Sequence, residues 1–365
     1  MLRQVKRESF IVAKEQGYYH GWPTIARTAD GELVVVFSGR RSEHVCPYGQ
    51  TVLVRSQNSG VTWSEPELVN NTPLDDRDAG IIILRDGTWV ISWFTSVYYK
   101  VWQKRMRQSY GDAEVDRWRP YMDAITPEVQ QEWLDSWTRR STDRGKTWEP
   151  PVRAKATSPH GPIELSDGRL LYVGGGEPRR GISVGVMEST DQGRSWTLCS
   201  EIPLAPGTRR NWYTEPHTVE TASGRIVCLF RFQIQPKESG QNSPFRDDFM
   251  LQTESDDGGH TWHPLHQTPL QCHPPHLIRL KNDDLLVVYG GRYAPYGERG
   301  CLSKDNGQTW DIDNEFVIRD DAPNNDLGYP ASVQLDDGSI YTVYYQVEQP
   351  NEKPCIMGTR WELPL

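Results

Sequence analysis

Several signals are missing from this chain, and each absence removes a class of function. No run of about 18 apolar residues occurs, so a membrane-spanning helix is not expected. An excess of basic residues is lacking too: 49 Asp+Glu against 40 Lys+Arg leave a net charge of −9. Phosphate backbones and anionic membranes are bound through clustered Lys and Arg, so neither nucleic acid nor a membrane is an expected partner. Cysteine is scarce, with Cys46, Cys199, Cys228, Cys272, Cys301 and Cys355 scattered and never in CxxC spacing. That pattern fits reduced thiols rather than a disulfide framework or a zinc site. The N-terminal stretch MLRQVKRESFIVAKEQ lacks the apolar segment of roughly 7–15 residues that a secretory signal requires, so cytoplasmic residence is expected. No motif calls for a cofactor.

Tryptophan, in contrast, is plentiful, with 14 in 365 residues. Aligning them exposes a repeat: Ser56-Gln-Asn-Ser-Gly-Val-Thr-Trp63, Ser141-Thr-Asp-Arg-Gly-Lys-Thr-Trp148, Ser189-Thr-Asp-Gln-Gly-Arg-Ser-Trp196, Ser255-Asp-Asp-Gly-Gly-His-Thr-Trp262 and Ser303-Lys-Asp-Asn-Gly-Gln-Thr-Trp310. In each octet the Asp or Asn can cap turn N–H groups, Gly supplies a positive φ, and Trp packs back between sheets. Interleaved with these are TADGELVVVF, LRDGTWVISW, LSDGRLLYVG, TASGRIVCLF, LKNDDLLVVY and LDDGSIYTVY, each a tight turn before an apolar strand. Hairpin, loop and octet together make a four-stranded antiparallel unit of propeller-blade length. Length alone allows two domains, but the repeats predict one all-β domain over 1–365, a six-bladed β-propeller. Ser9 to Lys14 are expected to supply the outer strand that closes the ring.

Between Tyr98 and Arg139 the second blade carries an insertion. Thr126-Pro127-Glu128 and the 3–4 spacing of its apolar residues predict helix. Its tryptophans, Trp102, Trp118, Trp133 and Trp137, either bury it against its blade or overhang the central face to stack on a sugar.

In a propeller, the loops leading into the innermost strands line one face of the central channel. Here those loops contain Tyr18–Trp22, Asp75–Asp78, Ser158–His160, Asn211–His217, Cys272–His276 and Asp326–Tyr329. The neighbouring loops add Arg40, Arg41, Glu43, His44, Glu177, Arg179, Arg180, Arg231 and Arg292. Titratable groups gathered on one cleft are what an active site needs. His20, His44, His160, His217 and His276 are also expected on this face, but no pair has the close spacing of a metal motif, and no metal is expected.

The octets resemble the Asp boxes of the sialidase superfamily, and the resemblance in architecture covers the chain outside the insertion. It implies a catalytic Glu215 opening the fourth inner strand, Arg231 ending the next strand, and a nucleophilic Tyr329 in YPASVQLDDGS. Arg292, or alternatively Arg299, would be the fifth-blade arginine. Where sialidases open the first blade with Arg-Ile-Pro, this chain has Gly21-Trp22-Pro23, and Arg40 is the candidate to reach the same space. For the acid/base Asp the nearest carboxylate is Glu43, with Asp76 and Asp78 as alternatives. His20, Asp76, His217 and His276 join Arg231, Arg292 and Arg40 as candidate substrate-binding residues.

The chemistry is coherent in itself: a phenol is a poor nucleophile unless a base such as Glu215 takes its proton, and Arg grips a carboxylate bidentately. The expected function is a retaining exo-glycosidase acting on a glycan with a terminal acidic sugar. A histidine-dependent uronate lyase and a non-catalytic glycan-binding propeller are the alternatives.

Overall fold

The computed structural model describes residues 3–174, 183–235, 238 and 240–363. Six antiparallel sheets form the blades of a propeller. Their inner strands are Tyr19–Arg27, Asp75–Ile83, Ile163–Glu164, Tyr213–Glu220, Pro275–Arg279 and Gly328–Gln334. The expected closure is present: Arg7–Ala13 pairs with Cys355–Trp361 as the outer strand of blade 6, so the first and last parts of the ring share one sheet. Arg3–Gln4 adds a short parallel strand to the outer edge of blade 5. All six cysteines are free. No helix among the described residues is long and apolar enough to cross a membrane.

The core lies between neighbouring blades, because each sheet buries both faces. Val35, Phe37, Val52 and Val54 of blade 1 pack on Ala331, Tyr341 and Val343 of blade 6, and the other blade pairs have equivalent clusters. The octets tie each blade to the one before it. In every octet Ser Oγ accepts from the Gly N–H, at 2.7–2.9 Å. The Asp or Asn Oδ1 accepts from the N–H four residues on, at 2.8–2.9 Å. With the turn fixed, the Trp reaches backwards. Trp196 Nε1 donates to Thr138 of blade 2, Trp262 Nε1 to Ser200 of blade 3, and Trp310 Nε1 to Gln252 of blade 4. A Cβ on Gly60 would lie 2.1 Å from the Tyr341 ring of blade 6, so that contact requires glycine.

The insertion is helical as expected: α1 (Tyr98–Val101), α2 (Gln103–Tyr110), α3 (Asp112–Arg117), α4 (Arg119–Ala124) and α5 (Pro127–Trp133). Thr126 caps α5 by accepting from the Val129 N–H. Burial against the blades, one of the two expected roles, holds for two of the tryptophans. Trp118 is fully buried with Tyr99, Met106, Val115 and Met122 against Val45 and Cys46 of blade 1, and its Nε1 donates to Glu114 at 3.0 Å. Trp137 is buried in blade 2, whereas Trp102 is exposed.

This cluster anchors α2–α4 on blade 1, and a second one, Leu74 and Val97 with Ile125, Val129 and Trp133, anchors α5 on blade 2. Trp118→Ala is expected to cost on the order of 3–5 kcal/mol of local stability. Limited proteolysis of that variant should cut first within 98–133 and leave the blades intact; cleavage no faster than in the wild type would contradict the assignment.

Candidate active site

Four inner strands begin with the same local irregularity. Register shifts fall between Gly21 and Thr24, Arg77 and Gly80, Thr214 and His217, and Gly328 and Ala331. Inside each shift one non-glycine residue is left-handed: Trp22 (φ 55°), Asp78 (51°), Glu215 (50°) and Tyr329 (50°). A bulge re-aims a side chain out of the pleat, and left-handed backbone at non-glycine positions is held only where the surroundings impose it. Its repetition in blades 1, 2, 4 and 6 delivers four side chains to the propeller axis.

Three of them, Asp78, Glu215 and Tyr329, line one cavity of about 580 Å³ together with Arg77, Arg231 and His44. Tyr329 Oη donates to Glu215 Oε1 at 2.6 Å, and Arg231 Nη1 donates to both Glu215 oxygens at 2.9 and 2.8 Å. The Arg292 guanidinium lies 5.9 Å from the Tyr329 ring centroid, with Nη2 on the Leu327 carbonyl and its buried Nε without a partner among the described residues. Of the two fifth-blade arginines, therefore, Arg292 is the one beside Tyr329; Arg299 turns to the Pro295 carbonyl.

Electrostatics separates the acids. Burial alone would raise the Glu215 carboxyl, but Arg231, His273 and the Tyr329 hydroxyl outweigh it and hold it below the usual range. Burial, then the charges of Glu215 and Asp78, push the Tyr329 phenol well up, so its proton stays on oxygen and points at an ionised carboxylate. Asp78 goes the other way: burial foremost, helped by Glu215 and Asp75, raises it to about 7 against the pull of Arg77 and Arg41. Its Oδ1 is buried with no partner among the described residues. One carboxyl poised to give a proton and one ready to accept lie in the same cavity, the division of labour that acid–base chemistry uses.

Trp22 occupies the opening of the first inner strand and is ringed by cations. Arg77 lies 4.3 Å and Arg41 5.0 Å from its ring centroid. Arg41 is fully buried and bidentate on Asp75, at 2.6 and 2.9 Å, so it is committed to structure. Arg77 donates through Nη1 to the His44 carbonyl at 2.8 Å and to Asp75 at 3.3 Å while lining the cavity. Arg77 is not among the residues that the sequence pattern marks; it lies beside Asp78 in the Asp75–Asp78 loop, and only the bulge reveals its direction.

Other expected residues lie elsewhere. Glu43 is not in this cavity: it faces a second one and is held by Lys353 at 2.8 Å, while the next residue, His44, faces the first. Arg40 also lines the second cavity, turned to Glu15 at 3.3 Å rather than to the space beside Trp22. His20 is completely buried, its Nδ1 accepting from the Arg40 N–H, and burial lowers it to about 4. Asp76 caps its own loop through the Thr72 N–H (2.9 Å) and hydroxyl (2.7 Å), and burial raises it to about 7. Glu177, Arg179 and Arg180 fall outside the described residues.

His217 and His276 are in the channel but do not line the cavity. With His160 they form a buried cluster, ring centroids 4.5 to 5.5 Å apart. His217 Nδ1 accepts from the Leu277 N–H at 2.9 Å and His276 Nδ1 from the Ser332 N–H at 3.3 Å, which fixes neutral rings protonated on Nε2. Of the five histidines expected on this face, His44 is the one that lines the cavity, bonded to Tyr19 Oη at 2.9 Å and Asp326 at 3.2 Å. Among the described residues no group of three or more His, Cys, Asp or Glu has the geometry to hold a metal ion.

A six-bladed propeller with an acidic, arginine-rich cavity on its axis is the class that fold and site define. The chain belongs to the BNR repeat-like domain family, whose model matches residues 122–342. The curated relatives it matches include glycoside hydrolases, and the chain spans from about a fifth to about half of their length. It is 23% identical over 355 residues to the sialidase of Micromonospora viridifaciens, covering 88% of this chain and 49% of that protein. It is 28% identical over 187 residues to xyloglucanase Xgh74A of Acetivibrio thermocellus, covering 47% of this chain and 20% of that one. Among solved structures, a protein of unknown function from Dyadobacter fermentans superposes with TM-score 0.78 at 23% identity over 98% of both chains. The NanB sialidase of Streptococcus pneumoniae superposes at 0.67 and 12% identity, covering 97% of this chain and 70% of that one. The α-L-arabinanase of Penicillium chrysogenum gives 0.59 and 13%, covering 96% and 98%.

The histidine cluster makes a pH prediction. Burial depresses His217 to about 3 in the folded chain, from an ordinary 6.5. Below pH 6.5 the unfolded chain takes up a proton that the folded chain refuses, so this stabilising contribution is present at pH 7 and shrinks as the pH falls. Asp76 and Asp78, raised when folded, contribute with the opposite sign between about pH 4 and 7. The informative quantity is therefore the difference from a variant. Between pH 7 and 4.5 the wild type should lose on the order of 1–3 kcal/mol more than His217→Asn, read from urea unfolding. Parallel losses would refute the neutral-histidine account.

Proposed function

We propose that the chain is a retaining exo-glycosidase of the sialidase type that removes a terminal acidic sugar. The observation that carries this reading is the 2.6 Å contact of Tyr329 Oη with a Glu215 carboxylate already locked by Arg231. In the first step Tyr329 Oη attacks the anomeric carbon as its proton passes to Glu215 Oε1. The bond to the leaving oxygen breaks, and that oxygen takes the proton of Asp78. In the second step Asp78 removes a proton from water, the water oxygen attacks the anomeric carbon, and the released phenolate recovers its proton from Glu215. A neutral phenol paired to a carboxylate avoids bringing a bare anion against a substrate that carries its own negative charge.

Arg231, Arg292 and Arg77 are the anchors for the substrate carboxylate, with Arg77 compensating for tryptophan at the opening of the first blade. Glycoside-hydrolase relatives and the shared propeller support the reaction class; the acidic sugar rests on the arginines. The lyase alternative loses support, since His44 is tied between Tyr19 and Asp326, and His20, His160, His217 and His276 lie outside the cavity lining.

Two variants test the assignment on a panel of aryl glycosides of N-acetylneuraminic, glucuronic and galacturonic acids and of neutral sugars. Tyr329→Phe should lower kcat/KM on the acidic member that is turned over by about 1,000-fold or more. Wild-type kcat/KM should decline above about pH 7 as Asp78 ionises. Asp78→Asn should remove that limb and slow turnover by roughly 100- to 10,000-fold, less with better leaving groups. Unchanged turnover in Tyr329→Phe would refute the mechanism, and binding without turnover would favour a glycan-binding propeller.

A further inference from the structure

The cavity holds more positive charge than the proposed chemistry uses. Of its four arginines, Arg231 is matched by Glu215 and Arg77 by Asp75, but Arg105 and Arg210 have no carboxylate partner among the described residues. The contrast with the adjacent residue is informative: Arg209 turns outward to Glu238 at 3.1 Å, while Arg210 turns into the cavity, where its described bond is from Nη1 to the Tyr213 carbonyl at 2.9 Å. Arg210 is half-buried, and burial alone lowers its guanidinium from the ordinary value. A partly desolvated cation with unfilled donors is a standing cost unless an anion arrives.

Arg105 approaches from the insertion, its guanidinium 5.6 Å from the Trp102 ring centroid. Trp102 is stacked on Tyr98, centroids 4.4 Å apart and planes 2° from parallel, yet the two remain 40% and 42% exposed. Exposed aromatic rings lining a cavity mark a binding surface, and a sugar ring is a natural partner for their faces. Along the lining, Tyr98, Trp102 and Arg105 are exposed and Arg210 is half-buried, whereas Asp78 and Tyr329 are buried, so the first group marks the solvent-open end.

We propose that the open end is a second anion subsite, in which Arg105 and Arg210 hold a carboxylate on the sugar at the leaving side of the scissile bond. The preferred substrate is then an acidic sugar linked to another acidic sugar. The inference rests on reading the buried end as the site for the terminal sugar.

Equilibrium titration in a Tyr329→Phe background, where ligand is not consumed, tests it with two probe pairs that differ in the second anion. One is α2,8-linked di-N-acetylneuraminic acid against α2,3-sialyllactose. The other is digalacturonic acid against its methyl ester at the reducing-end residue. In at least one pair the doubly acidic member should bind about tenfold more tightly, a gap of about 1.4 kcal/mol. Arg105→Gln and Arg210→Gln should each shrink that preference about threefold or more, and Arg210→Lys, which keeps the charge and guards against misfolding, should retain most of it. Equal or undetectable binding within both pairs, or a preference that survives both Gln variants, would overturn the proposal. A preference without wild-type turnover of any acidic glycoside would sink the glycosidase reading alone; turnover without a preference would sink this inference alone.

Discussion

The left-handed residue at the head of four inner strands is the constraint on which the rest of this site depends. A regular strand would point alternate side chains into the neighbouring blades, where Val, Leu and Ile already fill the space. The bulge turns Trp22, Asp78, Glu215 and Tyr329 out of that alternation and onto the axis. Backbone strain of this kind costs on the order of 1–3 kcal/mol per residue and persists only when the surroundings over-determine it. Two sets of contacts do so here. Above, Arg231 and Tyr329 lock Glu215; below, the main-chain N–H groups of Leu277 and Ser332 fix the histidines. Blade-to-blade tryptophans then keep these separate strands at a fixed distance.

Charge follows from the same geometry. Bringing Asp75, Asp78 and Glu215 to one axis with Arg41, Arg77, Arg231 and Arg292 creates a buried network whose members cannot all be ionised independently. Arg41 and Asp75 form a bidentate pair, and Asp75 also accepts from Arg77. Glu215 keeps its charge because Arg231 and Tyr329 bond it, whereas Asp78, with an oxygen left unbonded, takes a proton near neutral pH. The contrast between two carboxyls in one cavity thus comes from their hydrogen bonds and not from residue type. Net charge says nothing about this: the chain is at −9 overall while its axial cavity is rich in arginine.

The blades were legible in the sequence because their signals repeat and are local. An octet with Ser, Asp and Gly at fixed offsets dictates its own turn, and LKNDD shows how far the pattern tolerates change, with Asp283 accepting the positive φ that glycine takes in the other hairpins. Glu215, Tyr329 and Arg231 could be placed because they sit at strand ends. Direction was harder. Glu43 and His44 are neighbours in a bend and line different cavities, so the nearest carboxylate in sequence was not the one in the cavity. Arg77 and Arg210 were overlooked because nothing local distinguishes an arginine that faces a cavity from one, like Arg209, that meets a surface glutamate. His217 and His276 were expected to bind substrate, but they lie with His160 in a buried cluster outside the cavity lining.

The central claim is that Tyr329 forms the covalent bond to the sugar. Peptide mapping by mass spectrometry, after incubation with fluorinated glycosyl fluorides of N-acetylneuraminic and galacturonic acids, tests it most directly. The account predicts one glycosyl unit added to the peptide that contains Tyr329, with no addition in Tyr329→Phe. An adduct on another residue, or no adduct from a reagent that the enzyme turns over, would contradict it.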